Sequence, residues 1–207
     1  MSTITALKTL INNQLNRGTI YDAVLDDYIR AAGKFFEQNY TFRYMKSFTS
    51  VNGTSGVRTL AMPSALVKSF NSLRIANTDG NYLELFQVEP GEIISNGAGD
   101  PGYFWLDGRD TLYFDNTPDR VIAFEFDLVE FTDWSATVDA TTNWLLDVGQ
   151  TAMQYQTLIY LAVADRDAAL MQMAQAMFGP ALNTLLAADE ALEQSVREGI
   201  SHYHGES

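Results

Sequence analysis

Cysteine is absent from the 207 residues. That excludes a disulfide framework and any thiolate metal site. It fits an intracellular origin better than a small secreted scaffold. Histidine is nearly absent: the only two are His202 and His204, in the polar run SHYHGES. A Ser-His-Asp constellation has no histidine in a patterned segment to draw on, and a transition metal held there would rest on two ligands in a short tail. Long apolar runs are missing too. The greasiest stretch, residues 141–163, is broken by Asp147, Gly149, Gln150, Gln154 and Gln156, so nothing reaches the ~18 apolar residues of a membrane span. The opening MSTITALKTLINNQLN has no basic start followed by an apolar core, and is not expected to act as a signal peptide. Positive charge is scarce, with 13 Lys and Arg against 26 Asp and Glu, a net of −13. Gripping DNA through its phosphates needs clustered cations, so that function is excluded, while standing near DNA is not. No GxGxxG links a strand to a helix and no GxxxxGK[ST] occurs. Asp79-Gly80 and Asp107-Gly108 lack the oxygen series of a calcium loop and read as turns.

What is present is a folding composition, 46% hydrophobic and 12% aromatic. The length suits one domain, or one with a sizeable insertion, and can bury a core without staples. The hydrophobic period changes twice along the chain. Ile4, Leu7, Leu10, Ile11 and Leu15 have helical spacing, and Arg17-Gly18 ends that helix. Thr19 with Asp22 resembles a capping box opening a second helix, whose stripe is Tyr21, Val24, Leu25, Tyr28, Ala32, Phe35 and Phe36, ending near Asn39. From Tyr40 the period shortens. TFRYMKSFTSV, VRTLAM, SFNSLRIAN, NYLELFQV and the aromatic pair around Asp107-Gly108 read as strands, and VIAFEFDLVEF alternates strictly. Thr78-Asp79-Gly80 and Asn116-Thr117-Pro118-Asp119 read as turns. Helix returns near 142, capped by Thr142 or Asn143 and interrupted at Gly149. Asp165 is positioned to cap the next helix, which Gly179-Pro180 is expected to kink or end.

The predicted fold is therefore α+β. Residues 1–40 and 141–198 form a helical bundle, residues 41–131 form an inserted antiparallel β-sandwich or barrel-like domain, and residues 199–207 form a flexible tail.

Few side chains offer chemistry. Glu125 and Asp127 lie two apart on one strand face, about 7 Å by strand rise. Such a pair could cleave a glycan as acid and base, or could simply be the wet side of an amphipathic strand. Asp22, Asp26, Asp27 and Arg30 give helix two a charged side, with an i,i+4 Asp26–Arg30 pair. Met171, Met173 and Met177 suit either core filling or an adaptable contact face. Neither a catalytic set, nor a cofactor site, nor a metal site emerges. The surplus of apolar helix points to contacts between copies of the chain.

Three stretches resemble the head–tail adaptor (connector) proteins of tailed bacteriophages. The first is TIYDAVLDDYIRAAGKFFEQNYTFRYM, an amphipathic helix running into the aromatic step Asn39-Tyr40-Thr41-Phe42. The second is TLAMPSALVKSFNSLRI followed by DPGYFWLDGRDTLYFDNTPD. The third is TTNWLLDVGQ followed by QTAMQYQTLIYLAVADRDAAL. The resemblance spans roughly residues 19–195, and departs where Gly149 stands in place of a proline and where Gly179-Pro180 interrupts the last helix. It implies a non-enzymatic virion protein, assembled in the host cytoplasm and placed in the neck. It also implies a ring of identical subunits, commonly twelve, that docks beneath the portal, meets downstream tail or nozzle proteins, and surrounds DNA without binding it specifically. No membrane is involved. Ile200 and Tyr203 are the expected portal contacts, and Trp144 the expected lock of its helix junction. Other readings are a tail tube or tail-completion protein, and a glycan hydrolase using Glu125 and Asp127.

Overall fold

A computed structural model describes residues 3–16, 20–76, 81–92, 97–108, 110–134 and 143–203, with side chains as far as 192. Thr19, Thr78-Asp79-Gly80, Thr142 and His204 lie outside the described residues, as do Arg17 and Gly18. The chain divides into two compact units, residues 1–44 with 133–207, and residues 45–132.

The first unit is helical. Helix α1 (Ile4–Leu15) starts at Thr3, whose hydroxyl oxygen accepts from Ala6 N at 3.1 Å. Its Ile4, Leu7 and Ile11 are fully buried, one stripe at 3–4 residue spacing. Helix α2 (Asp22–Asn39) buries Leu25, Ile29, Ala32 and Phe36 by the same rule. It has no side-chain cap. Asp22 instead accepts from Asn12 Nδ2 at 2.6 Å, tying α2 to α1. Helix α3 (Trp144–Asp147) is capped by Asn143, whose Oδ1 accepts from Leu146 N at 2.8 Å.

Helix α4 (Gln150–Asp165) is the greasy segment, and it packs on α1 and α2 and on α5 (Ala168–Tyr203). Met153, Leu158, Leu161 and Ala162 are buried, as are Gln154 and Thr157 on other sides of the helix. A helix apolar nearly all round is a central helix. Much of its apolar surface is covered within the helical unit, while Val163 near its end stays exposed. Gly149 separates α3 from α4 because a Cβ there would lie 2.7 Å from the Leu145 carbonyl oxygen.

Three expectations change here. The cap of α5 is Asp167, whose Oδ1 accepts from Leu170 N at 2.9 Å, while Asp165 accepts from the Tyr21 hydroxyl at 2.5 Å. Helix α5 runs through Gly179-Pro180. Gly179 has no Cβ to clash with the proline ring, and the space around that position is open. Residues 199–203, read as tail, continue α5.

The second unit holds β1 (Lys46–Gly53), β2 (Thr59–Ala61), β3 (Val67–Ala76), β4 (Tyr82–Gln87), β5 (Tyr103–Asp107), β6 (Thr111–Phe114) and β7 (Ile122–Glu130). They form one barrel-like sheet in the order β1-β7-β3-β4-β5-β6-β2, not two stacked sheets. Nor is it wholly antiparallel: β4 and β5 run parallel, Phe86 beside Tyr103 and Gln87 beside Phe104. The intervening residues 88–102 are long enough to return the chain to the starting end, as a parallel pair requires. Strict alternation in β7 puts Ile122, Phe124, Phe126 and Leu128 inside, where they meet Leu73, Ile75, Phe104 and Phe114. Phe114 and Phe124 stack at 4.5 Å between centroids. Each such buried side chain contributes about 1.5–3 kcal/mol. The turn between β5 and β6 carries Gly108 at φ 67°, a conformation that glycine adopts without strain.

The segment from Tyr40 to Met45 is not strand. Arg43–Met45 is a 3₁₀ turn. Phe42 and Tyr44 are drawn off the strand path by Trp144, with ring centroids at 5.6 and 5.2 Å.

Candidate functional site

The side chains nominated for chemistry are engaged in structure. Glu125 Oε2 receives Arg74 Nε at 2.7 Å. Asp127 Oδ1 accepts from Asn71 Nδ2 at 3.0 Å. Both acids stand on the outer face of β7, lining an open groove of about 390 Å³ with Phe48, Ser50, Ser72 and Arg74. Among the described residues lining that groove there is no histidine and no acid besides these two. On α2, Arg30 reaches Asp27 at 3.7 Å, and Asp26 meets Lys8 of α1 at 3.1 Å. Met177 is exposed, Met171 and Met173 are partly buried, and Gln14 Nε2 approaches Met173 Sδ at 3.7 Å. His202, Ile200 and Tyr203 sit in the last turns of α5, and their side chains lie outside those described. Among the described residues no cluster of three or more His, Asp or Glu could hold a metal ion, and no helix is long and apolar enough to cross a membrane.

Two arrangements escape sequence inspection. The first is a buried latch. Glu37, on α2, is wholly inaccessible. One carboxylate oxygen accepts from Trp134 Nε1 at 2.9 Å and the other from the Tyr44 hydroxyl at 2.7 Å. A buried carboxylate is tolerable only when its oxygens are bonded in this way. Gly33, one turn earlier, leaves room for the indole. A Cβ there would sit 2.6 Å from Trp134 Cη2 and closer still to two other ring atoms. Glu37, Tyr44 and Trp134 all belong to the helical unit, so one carboxylate ties its two chain segments together.

The second is a row of rings on the outer face of β4, β5 and β6. Tyr82 and Phe86 are 59% and 60% exposed and Tyr103 is 47% exposed. Phe86 and Tyr103 lie 6.1 Å apart, and Trp105 stacks on Tyr113 at 5.5 Å and 15°. An arginine closes each end, Arg74 over Tyr82 at 4.5 Å and Arg58 over Trp105 at 5.3 Å. The row is braced from beneath. Arg58 donates to the carbonyls of Phe114 and Asp115. Buried Asp115 accepts from Gly102 N and Tyr103 N at 3.0 and 3.1 Å. Arg120 fixes Asp100 at 2.6 Å. The polar residues of DPGYFWLDGRDTLYFDNTPD thus set where β5 begins and which way Tyr103 points. That these segments are strands was visible in sequence; which face would remain uncovered was not.

Such a molecule, with a braced exposed face and its nominated acids tied up in ion pairs and hydrogen bonds, has the makings of a structural subunit. Comparison with known families agrees. A family model described as SU10 adaptor protein matches residues 2–199, and the chain belongs to that family. Among solved structures, a chain from the "Neck of empty GTA particle computed with C6 symmetry" is similar at 17% identity and a TM-score of 0.27, over 74% of this chain and 76% of that one. No curated protein matches the chain. The family match carries the assignment.

Proposed function

We infer that the protein is a structural component of a virion, a head-to-tail adaptor of the neck that joins the portal to the tail. The observation that carries this is the family match over residues 2–199, nearly the whole chain. Particles made without the protein test it. Filled heads that lack tails are the expected product, whereas normal tailed particles would overturn the reading.

Helices from both chain ends form one bundle into which the strand unit is inserted. Copies associate as a ring, taken to be twelve-fold, around the DNA path. Each copy carries −13, so acids facing the channel repel phosphate and let DNA slide. The end of α5 docks on the portal through Ile200 and Tyr203. In support, Leu185, Leu192, Val196, Ile200 and Tyr203 recur at helical spacing, and Leu192 is exposed. The strand unit meets the tail, and no step of this role is catalytic. The ion pair and hydrogen bond holding Glu125 and Asp127 support that last point against a glycan-cleaving role.

A further inference from the structure

Five rings share the outer face of β4, β5 and β6, and three of them are about half exposed or more. Isolated exposed apolar residues need no explanation, but a contiguous patch does. Tyr, Trp and Arg are also the side chains that dominate protein–protein hot spots. The row is pre-ordered, because stacking, the Arg58 anchors and the Asp115 cradle fix its rings before anything binds. Beyond Arg74 the same face continues into the groove between Phe48, which is 75% exposed, and Asp127.

Charge selects the occupant. Glu84, Asp107, Glu125 and Asp127 lie on this face by strand register, against Arg74 within it and Lys46 at its β1 edge. Arg74 is taken up by Glu125, while Asp127 accepts from the neutral Asn71 and, among the described residues, forms no ion pair. A carboxylate beside an exposed phenyl ring is a seat for an incoming Lys or Arg, which gains both an ion pair and a cation–π contact. A nucleic acid brings phosphates, which meet like charge here.

We propose that this face, from the Phe48–Asp127 groove across Tyr82, Phe86 and Tyr103 to Trp105, is the docking surface for a different virion protein, one that presents an apolar patch edged with Lys or Arg. The assignment rests on the adaptor reading and specifies its tail-side contact.

The test uses the full chain and two purified proteins of the same virion, the portal and the tail component next to the neck. Two variants serve: Phe86→Ser with Tyr103→Ser, at exposed positions, and Asp127→Lys alone, at a half-buried position on the outer face; neither touches the core. Each is expected to weaken tail-component binding by about tenfold or more, with portal binding and melting temperature unchanged. Asp127→Lys also flattens the dependence of binding on salt. Unchanged tail binding in both variants overturns the proposal, as does an equal loss toward the portal. So does self-association of the unaltered chain that the variants abolish, or binding of an oligo-dT strand that they abolish. A chain that binds the portal but no tail component refutes this surface alone. One that binds neither refutes the adaptor reading as well.

Discussion

Replacing Glu37 by alanine removes the acceptor for two donors, and the consequence can be worked from the geometry. Trp134 is buried, so its Nε1–H, 2.9 Å from the carboxylate, is left with no solvent to turn to. A buried hydrogen bond to a charged group is worth about 1.5–3 kcal/mol. The Tyr44 hydroxyl, 2.7 Å from the other oxygen, is only partly buried and can recruit water, so its loss adds about 0.5–1 kcal/mol. The expected destabilisation is about 2–4 kcal/mol, or a melting point lower by about 5–15 °C for a chain of this size. Thermal unfolding followed by circular dichroism reads the shift. A cycle with Trp134→Phe, which deletes the donor and keeps most of the ring, isolates the pair, with an expected coupling of about 1–3 kcal/mol. A melting point that falls by less than about 3 °C, with no coupling to Trp134, would refute the latch.

Gly33→Ala forces a methyl into the Trp134 ring and should cost about 2–4 kcal/mol by the same assay, more than any exposed glycine-to-alanine change. Gly149→Ala drives a Cβ to 2.7 Å from the Leu145 carbonyl and should cost about 1–3 kcal/mol, read as a lower urea midpoint. Pro180→Ala restores a helical N–H within α5 and should raise the midpoint by about 1–3 kcal/mol of stability. Arg74→Ala breaks a half-exposed ion pair and should change stability by less than about 1 kcal/mol.

Much of the fold is legible because local signals agree with burial. The alternation of Ile122, Phe124, Phe126 and Leu128 defines β7. The stripe Leu25, Ile29, Ala32 and Phe36 lies within the segment read as helix two. Local signals mislead where a distant residue competes. Phe42 and Tyr44 alternate like a strand, yet the ring of Trp144, about a hundred residues on, holds them in a turn. Pro180 reads as a kink or an end, yet α5, packed on α4, continues through it. The parallel pairing of β4 with β5 depends on the path of residues 88–102, which no periodicity encodes. The latch joins Glu37 to Trp134 across 97 positions, so neither residue announces it. The apolar character of 141–163 was legible, but its destination was not. Its buried residues fill the helical unit, while rings on β4 and β5 stay exposed.

The central claim is that this chain works by assembling on other virion proteins. The most direct measurement is the mass, by native mass spectrometry, of the full chain alone and mixed with the portal of the same virion. A defined complex carrying several copies of the chain per portal ring is the predicted result, whether or not the chain is monomeric by itself. A chain that remains free at every ratio, with no species heavier than the portal alone, would contradict it.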